Sequence, residues 1–404
     1  MQKGFTAIML LIGIIGLIII IAGAFYLGRL SLPTTQQSTQ SNPQPAEIKQ
    51  QEVVPTPIVP VPTQPRNIDK LTYITDGDVI VFNLSTNQEK KITNYGYNTS
   101  PILSPDNSKI AYLSIPEAAV KSGKVHKGEG SGMFNDSYSS GEYDGLRNIW
   151  VINTDGSNPI QITTEAKKRG SIAWSVDSNK VSFEEDGQII EYDLSNKKSL
   201  SLGEGTNPIY SPLGNGRAFT FDGRKTLQIF TSKGGQAFTH KQNIGGLNWS
   251  NKDKIFFTSS DNTNGPTFEW KSSVWVYPID GRSFQITEEK DQMNRPAVSP
   301  NESYLAVSQG SGYADAGNID LFLVILKMNS DLAISKQLKL VEFKGSDLFN
   351  EYKEFLYPYD TPVWLNDREI LVMIDMLGVL SPNPRGIYKL NVENLTAERL
   401  LELK

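Results

Sequence analysis

The chain contains no cysteine and only two histidines, His126 and His240, among 404 residues. The first absence excludes disulfide staples, thiolate nucleophiles and any zinc or iron–sulfur site that needs sulfur ligands. The second leaves almost no room for histidine-based acid–base catalysis or a histidine-rich metal centre. Basic residues are in deficit as well: 39 Lys and Arg face 44 Asp and Glu, a formal charge of −5. Nucleic-acid binding draws on clustered cations that displace counterions, so this balance argues against it. What the chain has in surplus is turn formers, 33 Gly and 22 Pro, with aromatics at 10%.

The N-terminus stands apart. Residues 7–27 carry no charge and are centred on Ile14-Ile15-Gly16-Leu17-Ile18-Ile19-Ile20-Ile21. At about 1.5 Å per residue such a helix spans roughly 30 Å, the thickness of a bilayer core. Lys3 and Arg29 flank it and Tyr26 sits near its far end. The expectation is a single-pass anchor over residues 1–30, with the large polar body on the extracytoplasmic side. Ala22-Gly23-Ala24 also fits a small-residue cleavage site, so a removed signal peptide stays open. Gly4-Phe5-Thr6-Ala7-Ile8 resembles the start of type IV prepilins. Met9 stands where those proteins carry Glu, and Pro33 stops the helix early. Residues 31–67, with Pro33, Pro43, Pro45, Pro55, Pro57, Pro60, Pro62 and Pro65 among Ser, Thr and Gln, read as a linker with polyproline II character. The alternatives are a Pro-rich recognition segment, or one strand lent to the following domain through Val53, Val54, Ile58, Val59 and Val61.

Residues 68–404 repeat. Pro101-Ile102-Leu103-Ser104-Pro105-Asp106-Asn107-Ser108-Lys109-Ile110-Ala111-Tyr112 recurs as Ile172-Ala173-Trp174-Ser175-Val176-Asp177-Ser178-Asn179-Lys180-Val181-Ser182-Phe183. Further copies begin at Pro208, Leu247, Pro296 and Pro362. A basal period of about 40 residues with irregular insertions is that of a β-propeller blade. Each copy reads as a first strand, a Ser-Pro-Asp-type turn and a second strand rich in β-branched and aromatic residues. A third strand follows, as in Asn148-Ile149-Trp150-Val151-Ile152 or Ser273-Val274-Trp275-Val276-Tyr277. An Asp-Gly turn then leads to a short fourth strand, as in Ile160-Gln161-Ile162-Thr163 or Phe284-Gln285-Ile286-Thr287. Trp174, Trp249 and Trp364 fall on first strands and are expected in the core.

Pro-x-Trp-Ser-Pro-Asp, then Lys-Ile-Ala-Phe, Ile-Trp-Val, Asp-Gly and a terminal Ile-Thr resemble the WD-type repeat of TolB-like propellers. The resemblance runs over residues 68–404, with degenerate copies at Leu213-Gly214 and Lys252-Asp253. It implies an all-β fold of four-stranded antiparallel blades. Six first strands are visible but seven sets of second-to-fourth strands, the extra set lying over residues 70–93, so seven blades are favoured over six. The first blade would lack its inner strand unless the linker or a terminus supplies one.

Blade topology sends alternate connections to opposite faces of the disc. The first-to-second and third-to-fourth turns are short throughout. The long insertions, residues 115–146, 259–271, 309–318, 344–360 and 375–385, all fall in the other class, which elaborates one face. Aromatics ride two of them: Met133, Phe134, Tyr138 and Tyr143 in one, and Phe343, Phe349, Tyr352, Phe355, Tyr357 and Tyr359 in the other. Rigid aromatics beside adaptable polar residues suit a protein- or saccharide-binding surface, or else pin their own loops to the blades. Phe134, Tyr138, Tyr143, Phe349, Tyr352, Phe355, Tyr357 and Tyr359 are therefore the binding candidates.

The Asp-Gly pairs lack the oxygen ladder of an EF-hand and read as turns, so no metal or cofactor is expected. His126 and His240 read as surface residues. The repeats extend to Leu403, leaving no stretch for an α/β-hydrolase domain with its Gly-x-Ser-x-Gly elbow. The expected function is non-catalytic binding or scaffolding of an envelope protein or surface polymer, tethered to the membrane by the N-terminal helix. The alternatives are a hydrolase or lyase with acidic residues in the central channel, and a pilus-associated subunit.

Overall fold

The computed structural model is nearly all-β, built of antiparallel sheets as the repeats lead one to expect. It describes residues 68–123, 125, 146–165, 167–260, 271–291, 293–311, 320–339, 342–345, 357–358, 361–375 and 386–402. The chain divides into two compact units, Met1–Val54 and Pro55–Lys404, and all described residues belong to the second. The apolar segment 7–27 lies outside them. Among the described residues no helix is long and apolar enough to cross a membrane.

The described strands form six antiparallel sheets in chain order. Sheet A has three strands, Lys70–Thr75, Asp78–Asn83 and Gln88–Lys91. Sheet B has eight and falls into two meanders. B1 contains Asn98–Leu103, Lys109–Ser114, Leu146–Asn153 and Ile160–Gln161, and B2 contains Lys167–Trp174, Lys180–Glu185, Gln188–Asp193 and Lys198–Glu204. Only the pairs Leu146↔Lys168 and Arg147↔Lys167 join the two. Sheet C runs Thr206–Tyr210, Gly216–Phe221, Thr226–Thr231 and Gly234–Thr239. Sheet D runs Asn243–Trp249, Lys254–Ser260, Lys271–Pro278 and Phe284–Gln285, with Lys290–Asp291 also on its third strand. Sheet E runs Met293–Val298, Tyr304–Ser311, Asp320–Met328 and Ile334–Lys339. In sheet F, Tyr357–Pro358 and Val363–Trp364 both pair with Glu369–Asp375, followed by Gly386–Asn391 and Thr396–Glu402.

Two local devices explain why the repeat folds this way. In the first-to-second turn the Ser hydroxyl organises the backbone. Lys109 N donates to Ser104 Oγ and Lys180 N to Ser175 Oγ, each at 2.9 Å, and Tyr304 N to Ser299 Oγ at 2.9 Å. Three residues past each Ser the chain enters the left-handed region, at Asn107, Ser178, Gly214, Asp253 and Glu302 (φ 53 to 73°). Small or polar residues dominate there because a β-branched side chain strains that conformation. At the end of the fourth strand the Ile-Thr pair splits its labour. Ile92, Ile162 and Ile286 keep the backbone ladder to Val79, Ile149 and Val274. Thr93, Thr163 and Thr287 then accept the amides of those same residues on Oγ1, each at 2.9 Å.

Apolar side chains pack each meander on the next. Ile74, Val79 and Val81 of A meet Ile110, Tyr112 and Ile152 of B1. Ala111, Leu113 and Ile149 of B1 meet Ile172, Trp174 and Phe183 of B2. Clusters of the same kind join C to D, D to E and E to F. Ile387 of F packs with Tyr73, Ile80 and Phe82 of A, so the last sheet returns to the first. First strands of successive meanders adjoin one another and make the inner lining. Trp174, Trp249 and Trp364 on those strands are buried as expected, and Trp174 and Trp364 donate to Ile102 O and Ala297 O of the preceding meander, each at 2.9 Å.

One junction differs. Between B2 and C the described residues form no apolar cluster but a charged one. Val181 and Phe183 turn to B1, while Ser182 and Glu184, alternating with them, turn to C. Glu191, 4% exposed, accepts from Tyr210 Oη at 2.7 Å, Arg217 Nη1 at 3.0 Å and Lys180 Nζ at 3.0 Å. Burial alone would raise its pKa, but these partners outweigh burial and hold the carboxyl below its ordinary value. Burial pushes Tyr210 well above the usual phenol value, and Glu184 is raised in the same way.

Candidate functional site

The long insertions are bracketed by strand ends that lie on one side of the ring. Ser114 pairs with Asn148, Ser260 with Ser272, Ser311 with Asp320 and Ile374 with Gly386, each closing a second-to-third ladder at the end away from the Ser turns. The opposite side is laced by turn-to-turn bonds. Lys70 Nζ donates to Asn107 O, Asp106 N to Ser178 Oγ, Asn215 Nδ2 to Asp253 and Asn301 N to Asp367 Oδ1. Lys254 Nζ and Ser250 Oγ both bond the buried Glu302 carboxylate, at 2.5 and 2.6 Å. One face is thus closed by turns and four of the five long insertions leave from the other, while Lys344, at the start of the fifth, lies beside the Leu395–Ala397 turn on the closed side.

The inner strands are shaped alike. In five of them two residues oppose one on the second strand: Ser100-Pro101, Gly170-Ser171, Asn207-Pro208, Gly246-Leu247 and Arg295-Pro296. Ser100, Asn207 and Gly246 adopt φ of 50, 54 and 51°. Such bulges bend a strand and re-aim its side chains, and they recur beside binding sites. The described inner strands are built of neutral and basic residues throughout. Ser171 Oγ donates to Asn207 Oδ1 at 3.2 Å, and Ser100 and Ser171 are exposed.

Below the insertion face, buried polar groups fix the strand ends. Asp78 accepts from Thr93 Oγ1 at 2.9 Å and Gly96 N at 2.8 Å, and pairs with Lys91 at 2.8 Å. Arg169, 7% exposed, pairs with Glu185 at 2.5 Å and donates to Arg147 O and Glu165 O at 2.6 and 2.7 Å. Burial raises the Glu185 carboxyl, but its bonds to Lys167 and Arg169 bring it below the ordinary value. Residues Glu117–Lys121 form a short helix whose Ala119 packs with Ile115 and Val125. Tyr95 Oη donates to Ile115 O, and burial pushes Tyr95 up to about 12.

His240 corrects the surface reading. It is 9% exposed, bonded to Ser259 Oγ at 2.8 Å, with Trp275 and Phe257 edge-on at 4.7 and 5.4 Å. Burial lowers its pKa. It closes the fourth strand of C onto D, where an apolar cage leaves the ring neutral. His126 lies outside the described residues. Among the described residues no group of three or more His, Asp or Glu could hold a metal ion.

Of the binding candidates, Phe134, Tyr138, Tyr143, Phe349, Tyr352, Phe355 and Tyr359 lie outside the described residues. Tyr357 belongs to the strand Tyr357–Pro358, opposite Asp375. Phe343, counted with the aromatics of the same insertion, is fully buried in the E–F core. Lys344 bonds Leu395 and Ala397 through its backbone, so this stretch belongs to the scaffold. The spacing of the repeats could have placed Phe343 one strand-end after Ile334–Lys339. Sequence reasoning also missed Glu191, Tyr210 and Arg217, whose only signal was a charge at alternating strand positions where the other copies are apolar.

No protein-family model and no curated protein matches the chain. Its structure is similar to that of an oligogalacturonate lyase in complex with manganese, with TM-score 0.50 and 15% identity over 76% of this chain and 83% of that one. It is also similar to TolB from Acinetobacter baumannii, with TM-score 0.42 and 13% identity over 81% of this chain and 77% of that one. A third likeness is to the β-propeller domain of Myceliophteria thermophila Cps50 (Swd1), with TM-score 0.47 and 10% identity over 77% and 89%. At such identities a likeness speaks to the fold alone.

Proposed function

We propose that this chain is a membrane-tethered, extracytoplasmic propeller of seven blades that binds a protein or surface polymer of the cell envelope through its insertion face, without catalysis. The observation that carries this reading is the asymmetry of the two faces. One is crossed by short turns bonded to one another, and four of the five long insertions, those after Ser114, Ser260, Ser311 and Ile374, leave from strand ends on the other. A rigid scaffold presenting variable loops on one side suits recognition. The apolar segment 7–27 and the Pro-rich stretch behind it supply the tether and the stalk. The rival reading, a hydrolase or lyase working in the channel, calls for convergent carboxylates. The neutral and basic make-up of the described inner strands favours binding instead.

The test is affinity capture from envelope extracts with the full chain and with two altered forms, one lacking residues 131–145 and one with residues 346–356 replaced by a Gly/Ser stretch of equal length. The replacement spares the buried Phe343 and keeps the reach from Lys344, bonded to Leu395 and Ala397, to Tyr357, opposite Asp375. Loss of a specific captured component in at least one altered form supports the reading. Undiminished capture by both contradicts it.

A further inference from the structure

The junction between sheets D and E is apolar, but at the rim of the ring it stays open. The fourth strand of D bonds over Phe284–Gln285 alone, because Thr287 takes the Val274 amide on its hydroxyl and ends the ladder. Behind it the third strand of E divides its side chains by alternation. Leu323 and Ile325 pack toward F, while Val324 and Leu326 pack toward D. Between the two outer strands lies a cavity of about 470 Å³. Val324, Leu326 and Met293 floor it, with Phe284 and Ile286 on one side and Ile334 on the other. Thr287 Oγ1 fixes Met293 by donating to its Sδ at 3.2 Å. The volume falls in the range of ligand sites.

Two features give this cavity a preference. Phe284, 40% exposed, is the one exposed aromatic among the described side chains. A rigid apolar ring at the mouth of a pocket is the kind of group that anchors an interface. The charge of the lining is also one-sided: it includes two exposed carboxylates, Glu288 and Asp331, and neither Lys nor Arg. The two stand at opposite ends. Glu288 follows Thr287, at the level of Val274. Asp331 lies in the turn after Met328, which bonds Ser303 O on the closed face as Ile279 bonds Asp253 O. Val274 and Ile279 are five residues apart, roughly 16 Å along a strand.

We propose that this cavity docks an extended peptide segment of a partner protein, one with a large apolar side chain between two cations at i and i+4. In an extended chain residues i, i+2 and i+4 share a face, and i to i+4 spans about 13 Å. The central side chain enters between Phe284 and Ile334, over Val324 and Leu326. The flanking Lys or Arg then reach Glu288 and Asp331 on their flexible stems. Burial selects the anchor, and charge selects the segment that carries it. The surface lies between two outer strands, away from the insertions, so the inference stands apart from the binding role of that face.

The experiment titrates the full-length protein with acetyl-Lys-Val-Leu-Val-Lys-amide. It follows the methyl signal of Met293 in methionine-labelled protein, assigned with Met293→Leu. One control peptide carries Glu in place of both Lys, and another carries Ser at the three central positions. The lysine peptide should shift the Met293 signal and bind at least about tenfold more tightly than either control. Phe284→Ser, at an exposed position, should weaken it about tenfold. Glu288→Lys with Asp331→Lys should turn the preference to the glutamate peptide, a reversal that no folding defect produces. Equal affinities for the three peptides, a Met293 signal that does not move, or an unchanged preference after charge reversal would overturn the proposal. Self-association of the unaltered protein that is lost in Phe284→Ser would overturn it too, assigning the cavity to a second copy of the chain.

Discussion

A buried imidazole makes a clean prediction because its environment admits one charge state. His240 sits against Trp275 and Phe257 and its pKa is lowered by burial. The unfolded chain then binds a proton that the folded chain resists, so the unfolded state gains on acidification through the ordinary imidazole range near pH 6.5. Urea midpoints should fall between about pH 8 and about pH 5, and His240→Phe should remove part of that fall. A variant with an unchanged pH profile would contradict the buried, neutral assignment. Thr287 offers a second test at this scale. Thr287→Val keeps its shape but leaves the buried Val274 amide without its acceptor, which should cost about 1–3 kcal/mol in chemical denaturation.

At the scale of elements, the sequence was legible wherever local chemistry repeats. The second strands at Lys109, Lys180 and Lys254 and the third strands at Asn148 and Ser273 stand where alternation placed them, because a strand half-buried between two sheets demands that pattern. The fourth strands read as four residues but bond over two, Ile160–Gln161 and Phe284–Gln285, because Thr163 and Thr287 end the ladder with a side chain. The divergent Leu213-Gly214 copy makes the same turn as its homologues, since Gly214 takes φ of 73° where Asn107 takes 59°. Gly214→Asn should therefore be nearly neutral. Gly214→Val should lower stability by about 1–2 kcal/mol, read from thermal or urea unfolding. Less legible was everything set by partners distant in sequence. Nothing local distinguished Phe343, a core residue, from the aromatics that follow it.

For the whole molecule, the return of sheet F onto sheet A makes stability a property of the ring, and among the described residues the B2–C junction is a polar seam. Glu191→Ala would strand Arg217 and Lys180 beside Tyr210 and should cost about 2–4 kcal/mol. The pKa values of Glu191 and Glu185 are held below the ordinary carboxylate range. Their stabilisation is therefore present at neutral pH and lost as pH falls through the folded values. Acid unfolding followed by hydrogen exchange should expose the strands of B2 and C before those of D and E, whose junction is apolar. The seam went unread in the sequence because a lone Glu among alternating strand residues looks like any solvated charge.

The two unequal faces are the centre of the account, and they can be compared in one measurement. Photo-reactive residues would be placed singly at Asn135 and Tyr352 in the insertions, and at Asn196 and Lys233 in short turns of the opposite face, with cross-linking carried out in intact cells. The account predicts adducts to a common partner from the insertion positions and none from the turn positions. The same adducts from Asn196 or Lys233, with none from Asn135 or Tyr352, would contradict it.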